Sequence, residues 1–357
     1  MHYRKLGNSG LLVSSLSLGT MQFGRAMNMG ALGQEAATSM VRLALDHGVN
    51  LIDTADVYSR GESETLIGEA IRDVRDRIVL ATKARLPMSD VDFNHSGATR
   101  KNLLREAEAS LRRLRTDHID LYQVHGWDSL TPLEETLSAL DDLVRAGKVR
   151  YVGFSNYLAW QAATALATQQ REHLTRYITA QMYYSLVGRE LEYEFLSFAE
   201  HHRVGILVWS PLAGGFLTGK YDRQRPPAAG TRFADAGPFV PFDLERGYAV
   251  IDVLRRVAER HGATPAQIAI AWILQRPMVS SVIVAARDNR RLEENLRAAD
   301  IALGADDIQE LDAASNPGVP YPLWMVRQLD QAEDPRPRVL DPEGAPRPDL
   351  RGTRWPR

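Results

Sequence analysis

Leu51-Ile-Asp-Thr-Ala-Asp-Val-Tyr58 reads as a short buried strand that runs out at a carboxylate, with a phenol five residues further on. Asn50 to Ile52 supply the apolar strand, Asp53 its polar end, and Gly61-Glu-Ser-Glu64 opens the next helix. That is one βα unit with chemistry-bearing groups at its downstream end. In a barrel of parallel strands, catalytic groups come from these C-terminal strand ends and the loops after them. The fold therefore turns on whether the unit repeats.

It does. Upstream, Tyr3-Arg-Lys-Leu6 and Leu12-Val-Ser14 flank Gly7-Asn-Ser-Gly10, the pattern of a β-hairpin. Leu16 to Gly19 is the next strand, and Gln34 to Asp46 a helix with Ala37, Val41, Ala44 and Leu45 on one face and Gly48 as its stop. After the opening unit, strands are expected at Arg77 to Thr82, Ile119 to Val124, Val149 to Phe154, Ile178 to Met182, Gly205 to Trp209 and Val279 to Val284. Helices are expected at Glu64 to Ile71, Ala98 to Leu114, Pro132 to Arg145, Leu158 to Gln169, Leu191 to His201, Tyr248 to His261, Pro265 to Gln275 and Asn289 to Ala299. Counted from Leu16, eight strands each precede a helix, which predicts an α/β fold of the (β/α)8 TIM-barrel type. A doubly wound sheet would carry Gly-x-Gly-x-x-Gly after its first strand, and Gly19-Thr-Met-Gln-Phe-Gly24 is not that fingerprint. The expected organisation is a single barrel domain over residues 1–316 and a Pro-, Asp- and Arg-rich extension, 317–357, that either covers part of the site or is disordered. An irregular stretch of roughly 35 residues follows the seventh barrel strand, far beyond usual loop lengths and therefore a functional candidate.

Composition narrows the chemistry. A formal charge of -2 gives no reason to expect a nucleic-acid partner, and no apolar run approaches the length of a membrane helix. Cysteine is absent, which removes thiolate nucleophiles and thiolate metal sites. No His-x-His pair occurs, and His201-His202 closes a helix where cations suit its dipole, so no metal is expected. The N-terminus lacks the apolar core of a secretory signal, and a cytoplasmic location is expected.

Four strand ends carry polar side chains: Asp53, Lys83, His125 and the Ser155-Asn156 pair. Tyr58 alone would be an ordinary interfacial tyrosine and Asp53 alone a loop acceptor; their joint placement carries the reading. A phenol with a pKa near 10 is a poor acid at neutral pH. A lysine ammonium about 4 Å away favours the phenolate by up to roughly 4 kcal/mol at an effective dielectric of 20. That attraction is expected to make Tyr58 more acidic. Asp53 is expected to keep Lys83 charged, and His125 to donate to a carbonyl oxygen. Gly214-Gly-Phe-Leu-Thr-Gly-Lys220 matches part of a P-loop, but Tyr221 stands where Ser or Thr is needed and Pro226-Pro227 follow. A backbone cradle for a pyrophosphate, aided by Lys220, is the better account.

The chain resembles the aldo-keto reductase superfamily from the hairpin to Leu303. The resemblance rests on Asp53-Thr-Ala-Asp-Val-Tyr58, Ala81-Thr-Lys83, Gln123-Val-His125, Gly153-Phe-Ser-Asn156, Trp209-Ser-Pro-Leu-Ala-Gly-Gly215, and Arg287 with Leu292-Glu-Glu-Asn295. It implies a tetrad of Asp53, Tyr58, Lys83 and His125, with Tyr58 as general acid for reduction of an aldehyde or ketone. It also implies NADPH extended across the barrel mouth. Ser155, Asn156 and Gln181 would hold the carboxamide, Trp209 would stack on the nicotinamide, and Ser210, Leu212 and Gly214 would wrap the pyrophosphate. Gly19, Thr20, Met21, Pro211, Leu217, Gly219, Glu294 and Asn295 complete the expected cofactor contacts. Ala285 replaces the family's usual Gly or Lys, yet Arg287 and Arg291 remain as planar phosphate binders that favour NADP(H). Phe23, Phe93, Trp127, Tyr321 and Trp324, with Met21, are expected around the substrate. Two other roles stay open: an NADP(H)-binding regulatory subunit, as in potassium-channel β subunits, and a barrel hydrolase without nicotinamide binding.

Overall fold

A computed structural model describes residues 1–25, 31–225 and 240–331. Two short strands, β1 (Tyr3–Lys5) and β2 (Leu12–Ser14), form an antiparallel hairpin. Eight parallel strands follow: β3 (Leu16–Gly19), β4 (Leu51–Asp53), β5 (Val79–Ala84), β6 (Ile119–Val124), β7 (Val149–Ser155), β8 (Tyr177–Tyr183), β9 (Gly205–Trp209) and β10 (Val279–Val284). Each bonds its successor and β10 bonds β3, so the sheet closes into the (β/α)8 barrel that the strand count predicts.

Around it run α1 (Gln34–Asp46), α2 (Glu62–Ile71), α3 (Arg100–Leu114), α4 (Leu133–Arg145), α5 (Ala159–Arg171), α6 (Phe195–His202), α7 (Leu244–Arg260), α8 (Pro265–Leu274) and α9 (Asn289–Leu296). Two further helices, α10 (Ala305–Ser315) and α11 (Leu323–Gln331), lie where the residue pattern announces none. The stretch after Asn316 is thus not irregular throughout, and residues 332–357 of the extension lie outside the described residues. The long segment after β9 contains a tight turn at Ala213–Thr218, while its centre (226–239, with Pro226-Pro227) lies outside the described residues.

Strand parity decides which side chains enter the barrel, because successive residues point to opposite faces. Leu51, Val79, Ala81, Leu121, Ile178, Leu207 and Ile283 fill its interior together with Leu6 and Val13 of the hairpin, which plugs the end where the strands begin. Gly7 makes that plug possible: a Cβ there would meet the Ile178 carbonyl oxygen at 2.0 Å. Ile52, Leu80 and Tyr122 point outward into the larger core beneath the helices. By the same alternation Asp53 follows Leu51 inward, Lys83 follows Ala81, and Gln123 and His125 follow Leu121. Asp120 plays a structural part, pairing with Arg75 at 2.8 Å and accepting from the Leu80 N–H.

Behind the β4–α2 loop lies a second set of buried charges. Glu64 accepts from Thr82 Oγ1 at 2.5 Å and pairs with Arg113 Nε at 2.6 Å. Glu106 pairs with the other arm of Arg113 and with His95. Asp56 sits among them with no solvent exposure. Its Oδ1 accepts from the Val57 N–H at 2.6 Å, and its Oδ2 has no partner among the described residues. Burial first, then Glu64 and Glu106, push its carboxyl well above the ordinary range. Arg113, Arg105 and His95 pair with Glu64 and Glu106 and leave Asp56 without a cation of its own, which favours its protonated form.

An acid whose folded value is raised gives its full stabilisation below the unfolded pKa of about 3.9 and loses it as pH climbs through the folded value. The Asp56→Asn protein, which cannot ionise there, should therefore gain on the wild type between about pH 4.5 and about pH 8. The gain is on the order of 1.4 kcal/mol for each pH unit climbed below the folded pKa. Urea unfolding at both pH values measures it, and a stability gap that does not move with pH would contradict a proton on Asp56.

Candidate active site

Asp53 is the hub of the barrel mouth. Lys83 Nζ donates to Asp53 Oδ2 at 2.7 Å, to the Thr54 carbonyl at 2.8 Å and to Tyr58 Oη at 3.2 Å. All three ammonium hydrogens thus have acceptors in a fully buried position. The second oxygen, Asp53 Oδ1, accepts from Gln181 Nε2 at 2.7 Å and Gln123 Nε2 at 3.3 Å. Four strands, β4, β5, β6 and β8, therefore meet on one carboxylate. Burial opposes the Lys83 ammonium, but Asp53 and Tyr58 together outweigh it and hold its pKa above the ordinary lysine value. This is the geometry a counter-ion needs.

Tyr58 arrives by a different route. The backbone from Thr54 to Asp56 runs alongside β5, with the Thr54 N–H bonded to the Ala81 oxygen and the Asp56 N–H to the Lys83 oxygen. The chain then turns sharply, with Ser59, Arg60 and Gly61 at φ of 48°, 53° and 91°. Ser59 Oγ donates to the Phe23 carbonyl and Arg60 pairs with Asp90, which ties the turn to two neighbouring loops. The phenol points into the mouth with 9% of its surface exposed. Its pKa differs from expectation. Burial raises it more than Lys83 lowers it, and Asp53 adds to the rise, so the group lies above the ordinary tyrosine value. The cation is where the strand ends imply, but the cost of placing a phenolate in a dry site outweighs its pull. Tyr58 is a protonated phenol held by a cation.

His125 stands edge-on to Tyr58 with ring centroids 5.9 Å apart. Burial, then Lys83 and Arg85, push its pKa well below the ordinary value, so the imidazole is neutral and has a single N–H to give. Its Nδ1 is buried without a partner among the described residues.

The expected cofactor residues line the opposite arc of the mouth. Ser155 Oγ donates to the Gln181 carbonyl at 2.8 Å. Asn156, at φ 56°, accepts from Trp209 Nε1 at 3.1 Å. Trp209 lies against Tyr183 with centroids 5.1 Å apart, which holds its ring in place. Gln181 gives one N–H to Asp53, and its second N–H and its side-chain carbonyl oxygen remain. On the next loop Ser210, Ala213, Gly214, Gly215 and Gly219 all have positive φ, and Ser210 Oγ accepts from the Gly214 N–H. Leu212 is half-buried there, Pro211 is buried, and Lys220 is exposed. The turn is closed on itself, the N–H groups of Ala213, Gly214, Gly215 and Leu217 bonding Ser210 and Leu212, and its glycines leave the main chain open to close approach.

Gly19 needs its hydrogen, since a Cβ would meet Ile283 at 2.7 Å. Thr20 bonds the Asp53 carbonyl through both N–H and hydroxyl, and Met21 is half-buried beside it. Arg287 is exposed just after β10, with no carboxylate within 4 Å among the described residues. Arg291 lies 3.6 Å from Asp288 at the start of α9, where Glu294 and Asn295 are half-buried.

Several expectations need correction. Phe23, 1% exposed, and Leu217, fully buried, pack in the core. Phe93 is 95% exposed on the loop before α3 and lines nothing. Tyr321 is 74% exposed and packs on Trp324 at 6.1 Å. Trp127 is held in place edge-on to Tyr157 at 5.1 Å. Gln123 and Arg85 are mouth residues absent from the sequence-based set. Gln123 is legible from parity alone, whereas Arg85 follows Lys83 in a backbone conformation that no residue pattern announces. Among the described residues no group of three or more His, Asp or Glu could hold a metal, and no helix is long and apolar enough to cross a membrane.

The arrangement is a buried phenol, a buried cation and a neutral imidazole converging on one opening, with a glycine-rich turn after β9 and two arginines after β10. Comparison with known proteins gives the family. Residues 15–316 match the model of the Aldo/keto reductase family. A probable voltage-gated potassium channel subunit beta of Arabidopsis thaliana is 37% identical over 312 residues, covering 84% of this chain and 92% of that protein. An uncharacterised oxidoreductase of Bacillus subtilis is 34% identical over 89% of this chain and 97% of its own length. A versiconal hemiacetal acetate reductase of Aspergillus parasiticus is 32% identical over 90% and 99%. The chain belongs to the aldo/keto reductase family.

Proposed function

We propose that this protein reduces an aldehyde or ketone to the alcohol with NADPH, and that Tyr58 gives the proton. The observation that carries the reading is the bond from a fully buried Lys83 ammonium to the Tyr58 hydroxyl, with Asp53 behind it. NADPH, when bound, supplies the hydride for the carbonyl carbon. Tyr58 donates its proton to the carbonyl oxygen, and the Lys83 charge stabilises the phenolate left behind. His125, being neutral, orients the same oxygen through a hydrogen bond without competing as an acid. In the reverse direction the phenolate accepts the alcohol proton.

The residues fit the dinucleotide. Positive-φ backbone from Ser210 to Gly219 suits a pyrophosphate, Trp209 presents a half-buried indole beside Asn156, and Arg287 offers an exposed guanidinium. Arg287 and Arg291 recognise the 2′-phosphate and set the preference for NADPH over NADH. A regulatory, cofactor-sensing role is the second reading, favoured by the relative named as a channel subunit. The complete Asp53–Lys83–Tyr58 chain favours turnover.

Replacing Tyr58 by Phe should lower kcat by about a hundredfold to ten-thousandfold in an NADPH-oxidation assay over an aldehyde panel. NADPH affinity, followed by fluorescence titration, should stay within about twofold, since the hydroxyl faces the carbonyl and not the dinucleotide. Wild-type-like turnover in this variant would sink the assignment. Arg287→Ala should weaken NADPH by about tenfold to a hundredfold, the loss of a charge-assisted bond of about 1.5–3 kcal/mol, and leave NADH unchanged. Equal losses for both cofactors would show that Arg287 does not read the phosphate.

A further inference from the structure

Arg85 is a cation of the barrel mouth with no carboxylate within 4 Å among the described residues. It follows β5 by one residue and stands two positions after Lys83, across the opening from β9 and β10, where the dinucleotide reading places its phosphates. Its backbone has φ 137°, a strained conformation for any residue with a side chain, of the kind that persists at functional sites. The main chain on either side is pinned: the Gly97 N–H bonds the Arg85 oxygen at 2.8 Å, and the His125 N–H bonds the Ala84 oxygen at 2.9 Å.

Its side chain is poorly served. Nη2 donates to the Trp127 carbonyl at 3.0 Å, while Nε is buried with no partner among the described residues. Leaving a buried donor unpaired is costly, and more so for a charged group. Asp128 feels the charge, yet its oxygens are taken by the Ala98 and Leu130 N–H groups and by Thr131 Oγ1. Lys83 differs, because Asp53 consumes its charge. The bond to the Trp127 carbonyl, two residues past His125, holds the guanidinium at the end of β6, the strand whose end carries the imidazole expected to orient the carbonyl.

We propose that Arg85 receives a carboxylate of the substrate, so that the preferred carbonyl compound is an oxo acid. Trp127, held against Tyr157 and Trp160, forms the apolar wall for the stretch between carboxylate and carbonyl. The specificity follows from the same planar, permanently charged fork that suits bidentate carboxylate binding. The reaction stays balanced as in the function proposed above, on which this assignment rests. Hydride goes to the carbonyl carbon, the Tyr58 proton goes to its oxygen, NADPH becomes NADP+, and the carboxylate is unchanged.

The test compares para-carboxybenzaldehyde with its neutral carboxamide, and short aliphatic oxo acids with theirs. The readout is the acid-to-amide ratio of kcat/KM in the wild type, Arg85→Lys and Arg85→Gln. The wild type should favour the acids by about tenfold or more, the strength of a charge-assisted bond, with KM carrying the difference. Arg85→Lys should keep part of the ratio, and Arg85→Gln should bring it close to one. A structural role for Arg85 would lower both substrates together and leave the ratio intact, which would overturn the proposal, as would a wild type without preference. Calorimetric binding of para-hydroxymethylbenzoate, the alcohol product, to the NADP+-loaded protein separates this idea from the reductase reading. Binding lost in Arg85→Gln, in a protein that turns over no carbonyl compound, would uphold the carboxylate site and refute the reductase. No binding to the wild type would overturn the site.

Discussion

A single buried ion pair, Lys83 to Asp53, sets the terms for everything at the mouth of this barrel. In a medium where an isolated charge is costly, the ammonium has all three hydrogens bonded, and the carboxylate takes bonds from two glutamines on other strands. Removing one member of such a pair usually costs about 3–5 kcal/mol, because the other is left uncompensated. The pair therefore acts as a register pin for β4, β5, β6 and β8 as well as the source of the cation beside Tyr58. Stability and chemistry share the same atoms.

That sharing explains the layout of the rest. The hairpin closes the end of the barrel where the strands begin, so the interior is dry up to the level of Asp53. At the opposite end the polar residues fan outward, Asp53 on β4 with Tyr58 in the turn after it, Lys83 on β5, His125 after β6, and Ser155, Gln181 and Trp209 on β7 to β9. Behind the Tyr58 loop Glu64 and Glu106 are matched by Arg113 and His95, and Asp53 is the carboxylate that touches Lys83. The site thus stores its proton on Tyr58 and its positive charge on Lys83. The proposed reduction draws on both, since a carbonyl oxygen gains negative charge as hydride arrives.

Much of this is legible in residue order. Parity places Asp53, Lys83 and His125 inside the barrel because Leu51, Ala81 and Leu121, two or four positions back, are apolar and alternate with outward residues. The same rule applies to Gln123, which carries no charge to draw attention to it. Other features are hidden for physical reasons. The direction in which the Tyr58 pKa moves depends on burial, which no local pattern encodes. Arg85 owes its place to a φ of 137° that sequence gives no hint of. Phe23 follows the first barrel strand, which suggests a place beside the substrate, yet its aromatic ring is needed in the core. α10 leaves little trace because Ile308 and Leu311 are its only large apolar residues, too few to mark a period.

The most direct test of these ideas is the charge on Lys83 itself. The chain has only five lysines, so side-chain nitrogen and carbon resonances can be followed through a pH titration. Lys83 should stay charged beyond the ordinary lysine value of about 10.4 in the wild type, and Asp53→Asn should drop its pKa below that value while the other four lysines do not move. A Lys83 that is neutral at about pH 7 in the wild type, or that ignores the loss of Asp53, would contradict the central role of the pair.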